Sequence, residues 1–260
     1  MINEYLLRMK YNEIEPNFFC SREYFEKANL EEKYNNLSFW YSFENKVMFP
    51  PIPSYSEFYK HTNEIWLGLE GIKIPNKWKR EFFDYEFIYD SKNFLNMSGG
   101  NWATFRKNVR KFPKRYNGSC SYFLAEDYEP DEFEIKELFL NWMERESIID
   151  IHDPDIALEY LLYGENRAFL VDDQFGILLG VNIWDFNWKY INFRFSFYDP
   201  QYSPWFLSEY LRYLFYTSEI CLGDRRLIND GGCLDNKNLY NFKLKMNPVE
   251  IRKMWSWKKI

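Results

Sequence analysis

Between Arg167 and Asp199 the chain carries three runs, "RAFLVDD", "ILLGVNIWDF" and "YINFRFSFYD", parted only by short turns at Asp173-Gln174 and Asn187-Trp188. Alternating or continuously apolar runs of this length, rich in β-branched and aromatic residues, read as strands, and gaps this short join antiparallel neighbours. They define a three-stranded meander. After Pro204 come an amphipathic helix to about Ile220, a strand at "RLIND", the Gly231-Gly232 turn, a helix through "NKNLYNFKLKM" and a Trp-containing strand beyond Pro248. This order is α+β, unlike the regular βαβ alternation of doubly wound folds.

The first half is also mixed. Ser21 is placed to cap a helix through "REYFEKANLEEKYN", with Glu23 in its first turn near the exposed backbone N–H groups. "LSFWYSFENKVMF" reads as two short strands around Glu44-Asn45, followed by the Pro-rich "PPIPSY". "EIWLGLEGI" is a further strand, and residues 77–90 read as a helix followed by a strand. The acidic segment 126–146 is helical and joins two lobes, which places the division at 1–125 and 126–260.

The segment 99–116, "GGNWATFRKNVRKFPKRY", concentrates six basic residues and no acid in a chain of net charge −6. Trp102, Phe105, Val109 and Phe112 recur at helical spacing, and Pro113 is expected to stop the helix because it disfavours the α conformation of the residue before it. The helix therefore has an apolar face to bury and a basic face to show. A negative total does not forbid a local positive patch.

Several chemistries lack their signatures. With 260 residues, 46 % of them hydrophobic, the chain can bury a sizeable core. Cys20, Cys120, Cys221 and Cys233 form no C-x-x-C pair, and His61 and His152 stand apart, so neither a zinc site nor a disulfide framework is signalled. No P-loop, G-x-G-x-x-G, G-x-S-x-G or H-E-x-x-H motif occurs. The charged N-terminus and the want of an apolar run approaching about 18 residues point to a cytoplasmic protein with no transmembrane segment.

Two stretches taken together resemble a known family. "FDYEFIYDSKNFLNMSGGNWATFRKNVRKFPKRY" and "RLINDGGCLDNKNLYNFKLKMNP" are similar to signatures of the C-terminal domain of phosphatidylglycerol lysyltransferases, with Asn229, Leu234, Leu239, Lys243 and Pro248 in register. "NNLSFWYSFENKVMF" resembles an early strand of the same family, and "FKLKMNP" is also similar to the ending of Fem-type aminoacyltransferases. The likeness spans about residues 35 to 250. It implies a GNAT-like fold of two packed lobes with mixed, largely antiparallel sheets. Gly231 and Tyr240 stand where the family carries an acid and an arginine.

The resemblance implies acyl transfer, with no permanently bound cofactor and an aminoacyl-tRNA or acyl-CoA as co-substrate. In this fold the donor lies where two strands splay apart, which sets the end of "YINFRFSFYDP" against "RLINDGG". Asp230 and Asp199 are then the candidate bases or amine-holding groups, with Asn229 beside them and Lys243 facing a phosphate or oxyanion. Arg106, Lys107, Arg110, Lys111 and Arg115 suit an RNA backbone, and Tyr240 joins the donor-binding set. Coenzyme A users cradle the pyrophosphate on a glycine-rich turn. "DPQYSPWF" holds no glycine there, which favours tRNA. A non-catalytic binding module and a modifier of nucleic acid bases remain the alternatives.

Overall fold

In the computed structural model the described residues are 15–27, 77–146 and 154–260 except 225. The short stretches 31–32, 40–41, 46–47 and 65–69 and the positions 7, 10 and 13 are also described. Eleven strands among them form one sheet: β1 (Glu31–Glu32), β2 (Trp40–Tyr41), β3 (Lys46–Val47), β4 (Ile65–Leu69), β5 (Trp78–Tyr89), β6 (Cys120–Leu124), β7 (Arg167–Asp172), β8 (Leu178–Phe186), β9 (Tyr190–Tyr198), β10 (Leu227–Asn229) and β11 (Glu250–Lys259). Their order is β1-β2-β3-β4-β11-β5-β10-β9-β8-β7-β6. The helices are α1 (Arg22–Lys27), α2 (Ser91–Asn96), α3 (Ala103–Val109), α4 (Lys111–Arg115), α5 (Glu132–Glu146), α6 (Pro154–Tyr163), α7 (Leu207–Tyr216), α8 (Glu219–Gly223) and α9 (Lys237–Leu244).

The meander is present as β7, β8 and β9, all antiparallel. Its last pair has a bulge: Ile183 faces Phe195 and Trp184 faces Phe193, so Arg194 has no partner on β8. A bulge turns two successive side chains to one face. Phe193 packs against Phe215 on one side of the sheet, whereas Arg194 lies over Tyr24 and Phe195 against Tyr160 on the other.

Strand β10 runs parallel to β9 but pairs only with Tyr190–Asn192. The remaining six residues of β9 leave it, and the sheet opens into a V. On the far side of β10, β5 is antiparallel, and β11 pairs along ten residues of β5 before reaching β4. The C-terminal strand is thus built into the N-terminal half of the sheet.

Two aromatic cores cover the two faces. Beneath α2, α3 and α7 lie Tyr89, Phe94, Trp102, Phe105 and Tyr216, with Phe94 meeting Trp102 edge-on at 4.9 Å and Tyr216 at 4.7 Å. Beneath α1, α5 and α6 lie Phe139, Tyr160, Leu161 and Phe197. Each such side chain, fully removed from water, contributes roughly 1.5–3 kcal/mol. The segment before α1 straps across the second face: Glu15 pairs with Arg252 at 2.6 Å, the Phe18 amide donates to Glu86, and the Ser21 hydroxyl donates to Asp185 at 2.6 Å.

Three expectations change. Residues 78–89 are one strand, with no helix, because β11 supplies a ladder along the whole length and Arg80 stacks on Trp255 at 4.3 Å. The basic helix breaks at Arg110, not at Pro113. Pro113 sits in the first turn of α4, where its missing N–H would lack an intrahelical partner anyway. Ser21 does cap α1, accepting from the Tyr24 amide at 3.1 Å, but residues 31–32 are already strand. The expected turn at 44–45 and the Pro-rich stretch after it lie outside the described residues.

Candidate active site

The V between β9 and the turn after β10 holds a cleft of about 650 Å³, walled by the free end of β9, the 230–234 turn, α7 and α9. β10 ends at Asn229, so among the described residues Phe193–Phe197 of β9 have no strand partner on that edge.

The turn is shaped by its two glycines. Gly231 has φ +58°, which an L side chain rarely adopts, and a Cβ there would also press on the Phe18 ring at 3.0 Å. At Gly232 a Cβ would fall 1.8 Å from Asp84 Oδ2. That closeness lets the Asp84 carboxylate accept from the amides of Cys233 at 2.9 Å and Leu234 at 3.0 Å. Asn229 Oδ1 accepts from the Gly231 amide at 3.0 Å.

Asp230 is thereby fixed inside the cleft, 4 % exposed. Its Oδ2 accepts from the Tyr216 hydroxyl at 2.7 Å and faces Arg212 Nε at 3.4 Å, while Oδ1 lies 3.3 Å from Lys243 Nζ. Lys243 also donates to the carbonyls of Gly232, at 2.7 Å, and Asp230. Burial pulls Lys243 below the ordinary lysine range, against the attraction of Asp230. Burial and the neighbouring Asp230 push the Tyr216 phenol well up. The Arg212 guanidinium lies 5.2 Å from the Phe193 ring and 4.9 Å from Phe242. Arg212 and Lys243 flank Asp230, with Asp84 across the turn, so two cations and two carboxylates meet beside an unpaired strand edge, the cations placed to answer a developing oxyanion.

A second buried network sits on the opposite face. Arg194 Nε donates to Asp185 Oδ2 at 2.6 Å, and its Nη2 to Asp185 Oδ1 and Ser21. Tyr160 and Asn192 also donate to Asp185, each at 2.8 Å. Arg194 lines the cleft and lies over the Phe18 ring at 4.3 Å.

Of the residues singled out in the sequence, Asp230, Lys243 and Asn229 come together here. Asp199 does not: it caps the 3-10 turn Pro200–Trp205 through the Gln201 amide and borders a separate shallow depression with Glu144 and Arg145. Tyr240 packs tilted against Tyr85 at 5.2 Å and edge-on against Phe87 at 5.4 Å, and is not among the residues that line the cleft. The basic residues lie one helix from the cleft, since α3 packs on α7, whose Ser208 and Arg212 line it. Lys107, Arg110, Lys114 and Arg115 are exposed, and Lys111 sits 4.0 Å over the Phe206 ring. Arg106 is occupied, donating to the Met97 carbonyl at the end of α2. Sequence reasoning missed Arg212, Tyr216 and Arg194. For the two arginines the signal was the single cation in each of the largely apolar runs "LSEYLRYLFY" and "YINFRFSFY"; Tyr216 gave none.

The first turn of α7 carries Glu209, 7 % exposed, which accepts from Asn108 of α3 at 3.1 Å. Burial pushes its carboxyl up. Among the described residues no group of three or more His, Cys, Asp or Glu could hold a metal ion, and no helix is long and apolar enough to cross a membrane.

Solved structures share this architecture. The C-terminal domain of a putative lysylphosphatidylglycerol synthetase from Agrobacterium fabrum has a TM-score of 0.60 at 12 % identity, covering 100 % of this chain and 93 % of that one. L-PGS from Bacillus licheniformis has a TM-score of 0.55 at 14 % identity, covering 85 % and 80 %. FemX has a TM-score of 0.60 at 9 % identity, covering 98 % and 95 %. No protein-family model matches the sequence, and no curated protein matches it as a relative. The α+β, GNAT-like fold expected from the two sequence stretches is the fold of this chain.

Proposed function

We propose that the protein is an acyltransferase that takes its acyl group from an aminoacyl-tRNA and passes it to an amine. The observation that carries the reading is the cleft itself: an unpaired β9 edge facing Asp230, Arg212 and Lys243 where β9 and β10 part. In the transfer the amine nitrogen attacks the ester carbonyl carbon, a C–N bond forms, the bond to the 3′-oxygen breaks, and that oxygen takes up the proton the amine loses. The carbonyl oxygen becomes negative on the way. Amides of the free β9 edge and the Lys243 ammonium answer that charge. Asp230 holds the two cations and Tyr216 in place, and Asn229 holds the turn that presents Asp230.

The start of α7 favours tRNA over coenzyme A. A pyrophosphate needs open N–H groups at a helix N-terminus. Here the approach from Asp199 to Phe206 lacks glycine, and the buried Glu209 carboxyl occupies the first turn. The exposed Lys107, Arg110, Lys114 and Arg115 offer a surface for an RNA backbone beside the same helix. Resemblance to Fem-type aminoacyltransferases supports the same donor, and a tRNA donor places the protein in the cytoplasm. The test is release of labelled amino acid from charged tRNA on addition of a pool of small amines. Protein-dependent transfer from charged tRNA with none from acetyl-CoA supports the reading, and the converse overturns it.

A further inference from the structure

The cleft has a second arm that the transfer step leaves unassigned. On the face covered by α1, α5 and α6 it is walled by Phe19, Tyr24, Trp142, Ile156, Phe195 and Phe197. Trp142 meets Phe197 edge-on at 4.7 Å, Phe195 stacks on Phe197 at 5.6 Å, and Phe19 lies 5.2 Å from Tyr24. Aromatic walls favour a planar or apolar guest, because ring contacts add to the area removed from water.

Two N–H donors of this arm, Arg194 Nη1 and Trp142 Nε1, are buried with no hydrogen-bond partner. A buried donor left unpaired carries a desolvation cost that a guest oxygen relieves once the surrounding rings part to admit it. The charge of Arg194 is already matched by Asp185, so its spare N–H suits a neutral oxygen better than an anion. A cationic guest fares worse. The carboxylates on the cleft wall among the described residues are Asp84 and Asp230. Both are taken, one by the amides of Cys233 and Leu234, the other by Tyr216, Arg212 and Lys243. An ammonium in this arm would be buried beside Arg194 without a free counter-charge.

We infer that this arm receives the side chain of the transferred aminoacyl group and selects an uncharged aromatic one over a cationic or anionic one. The inference rests on the aminoacyl-donor reading. It adds a specificity to that reading, set by Trp142, Arg194, Phe195 and Phe197 rather than by the Asp230 cluster.

The experiment is calorimetric titration of the full chain with non-hydrolysable 3′-aminoacylamino-3′-deoxyadenosines bearing tyrosyl, phenylalanyl, lysyl or glutamyl groups. The tyrosyl and phenylalanyl compounds are expected to bind at least ~10-fold more tightly than the lysyl and glutamyl ones, the kind of ratio a site built for one polarity yields. Ile156→Asp, at the partly exposed rim of the arm, is expected to improve lysyl binding and weaken phenylalanyl binding, a gain that misfolding cannot imitate. Equal affinity across the four compounds, or tightest binding of the lysyl one by the native chain, overturns the inference and leaves the donor reading standing. Binding of none of them overturns the donor reading, and the inference with it.

Discussion

Asp230 is the residue on which the cleft turns, and its neighbours set what its replacement should do. Asp230→Asn keeps the volume and an acceptor for Tyr216 but leaves Arg212 and Lys243 buried without their anion. The loss is expected to be about 3 kcal/mol of stability together with most of the transfer activity, read by denaturant unfolding and by turnover. Lys243→Ala is expected to lower turnover by a factor on the order of 10²–10³, with the double variant close to the worse single one, since residues serving one step are not additive. Glu23, away from this cluster, gives a test by pH. Burial, then the nearby Asp185, raise its carboxyl to about 7 from an ordinary 4.5. Folding therefore favours the protonated form, and that contribution is complete below pH 4.5 and lost as pH rises to about 7. Glu23→Gln should flatten this window and raise stability at pH 8 by an amount on the order of 1–2 kcal/mol, allowing for the partial exposure of the group. An unchanged pH profile of the thermal midpoint would contradict the assignment.

The elements differ in how far the sequence reveals them, and the reason is where each finds its partners. β7, β8 and β9 pair with sequence neighbours across short turns, so local alternation suffices to place them. β5 pairs with β11, more than 160 residues away, and its charged first half, "WKRE", reads as helix until that partner is present. Asp230 and Lys243 were legible because a Gly-Gly turn and a short helix bring them together locally. Arg194 was not, since only the bulge opposite Trp184 turns it toward Asp185. At this scale the turn is the most sensitive element: Gly232→Ala would drive a Cβ onto Asp84 Oδ2 and to within 2.6 Å of the Tyr85 carbonyl. It is expected to cost at least about 1–3 kcal/mol. By contrast, reversing charge at Lys107 and Arg110, both exposed, should leave the thermal midpoint in place while weakening tRNA binding and reducing its salt dependence in a filter-binding titration. Affinity equal to that of the native chain would make α3 an ordinary solvated surface.

Among the described residues the strands form one sheet with an opening in it. We propose that the lobes 1–125 and 126–260 fold as a single unit, because β11 lies between β4 and β5 and β6 pairs with β7. Chains ending before Glu250 should then fail to fold, and the intact chain should unfold in one transition followed alike by fluorescence and circular dichroism. The sheet places the basic surface of α3 and α4, the charged cluster around Asp230 and the aromatic arm in sequence, from one face through the V to the other. We propose that the acyl end of a charged tRNA enters this V. Hydrogen exchange of the full chain, with and without a tRNA carrying a non-hydrolysable 3′-aminoacyl amide, tests it most directly. Added protection is expected at 193–198 and 230–234, with 103–115 protected in the same complex; protection confined to other segments, with those amides exchanging as in the free chain, would rule out tRNA entry into the V.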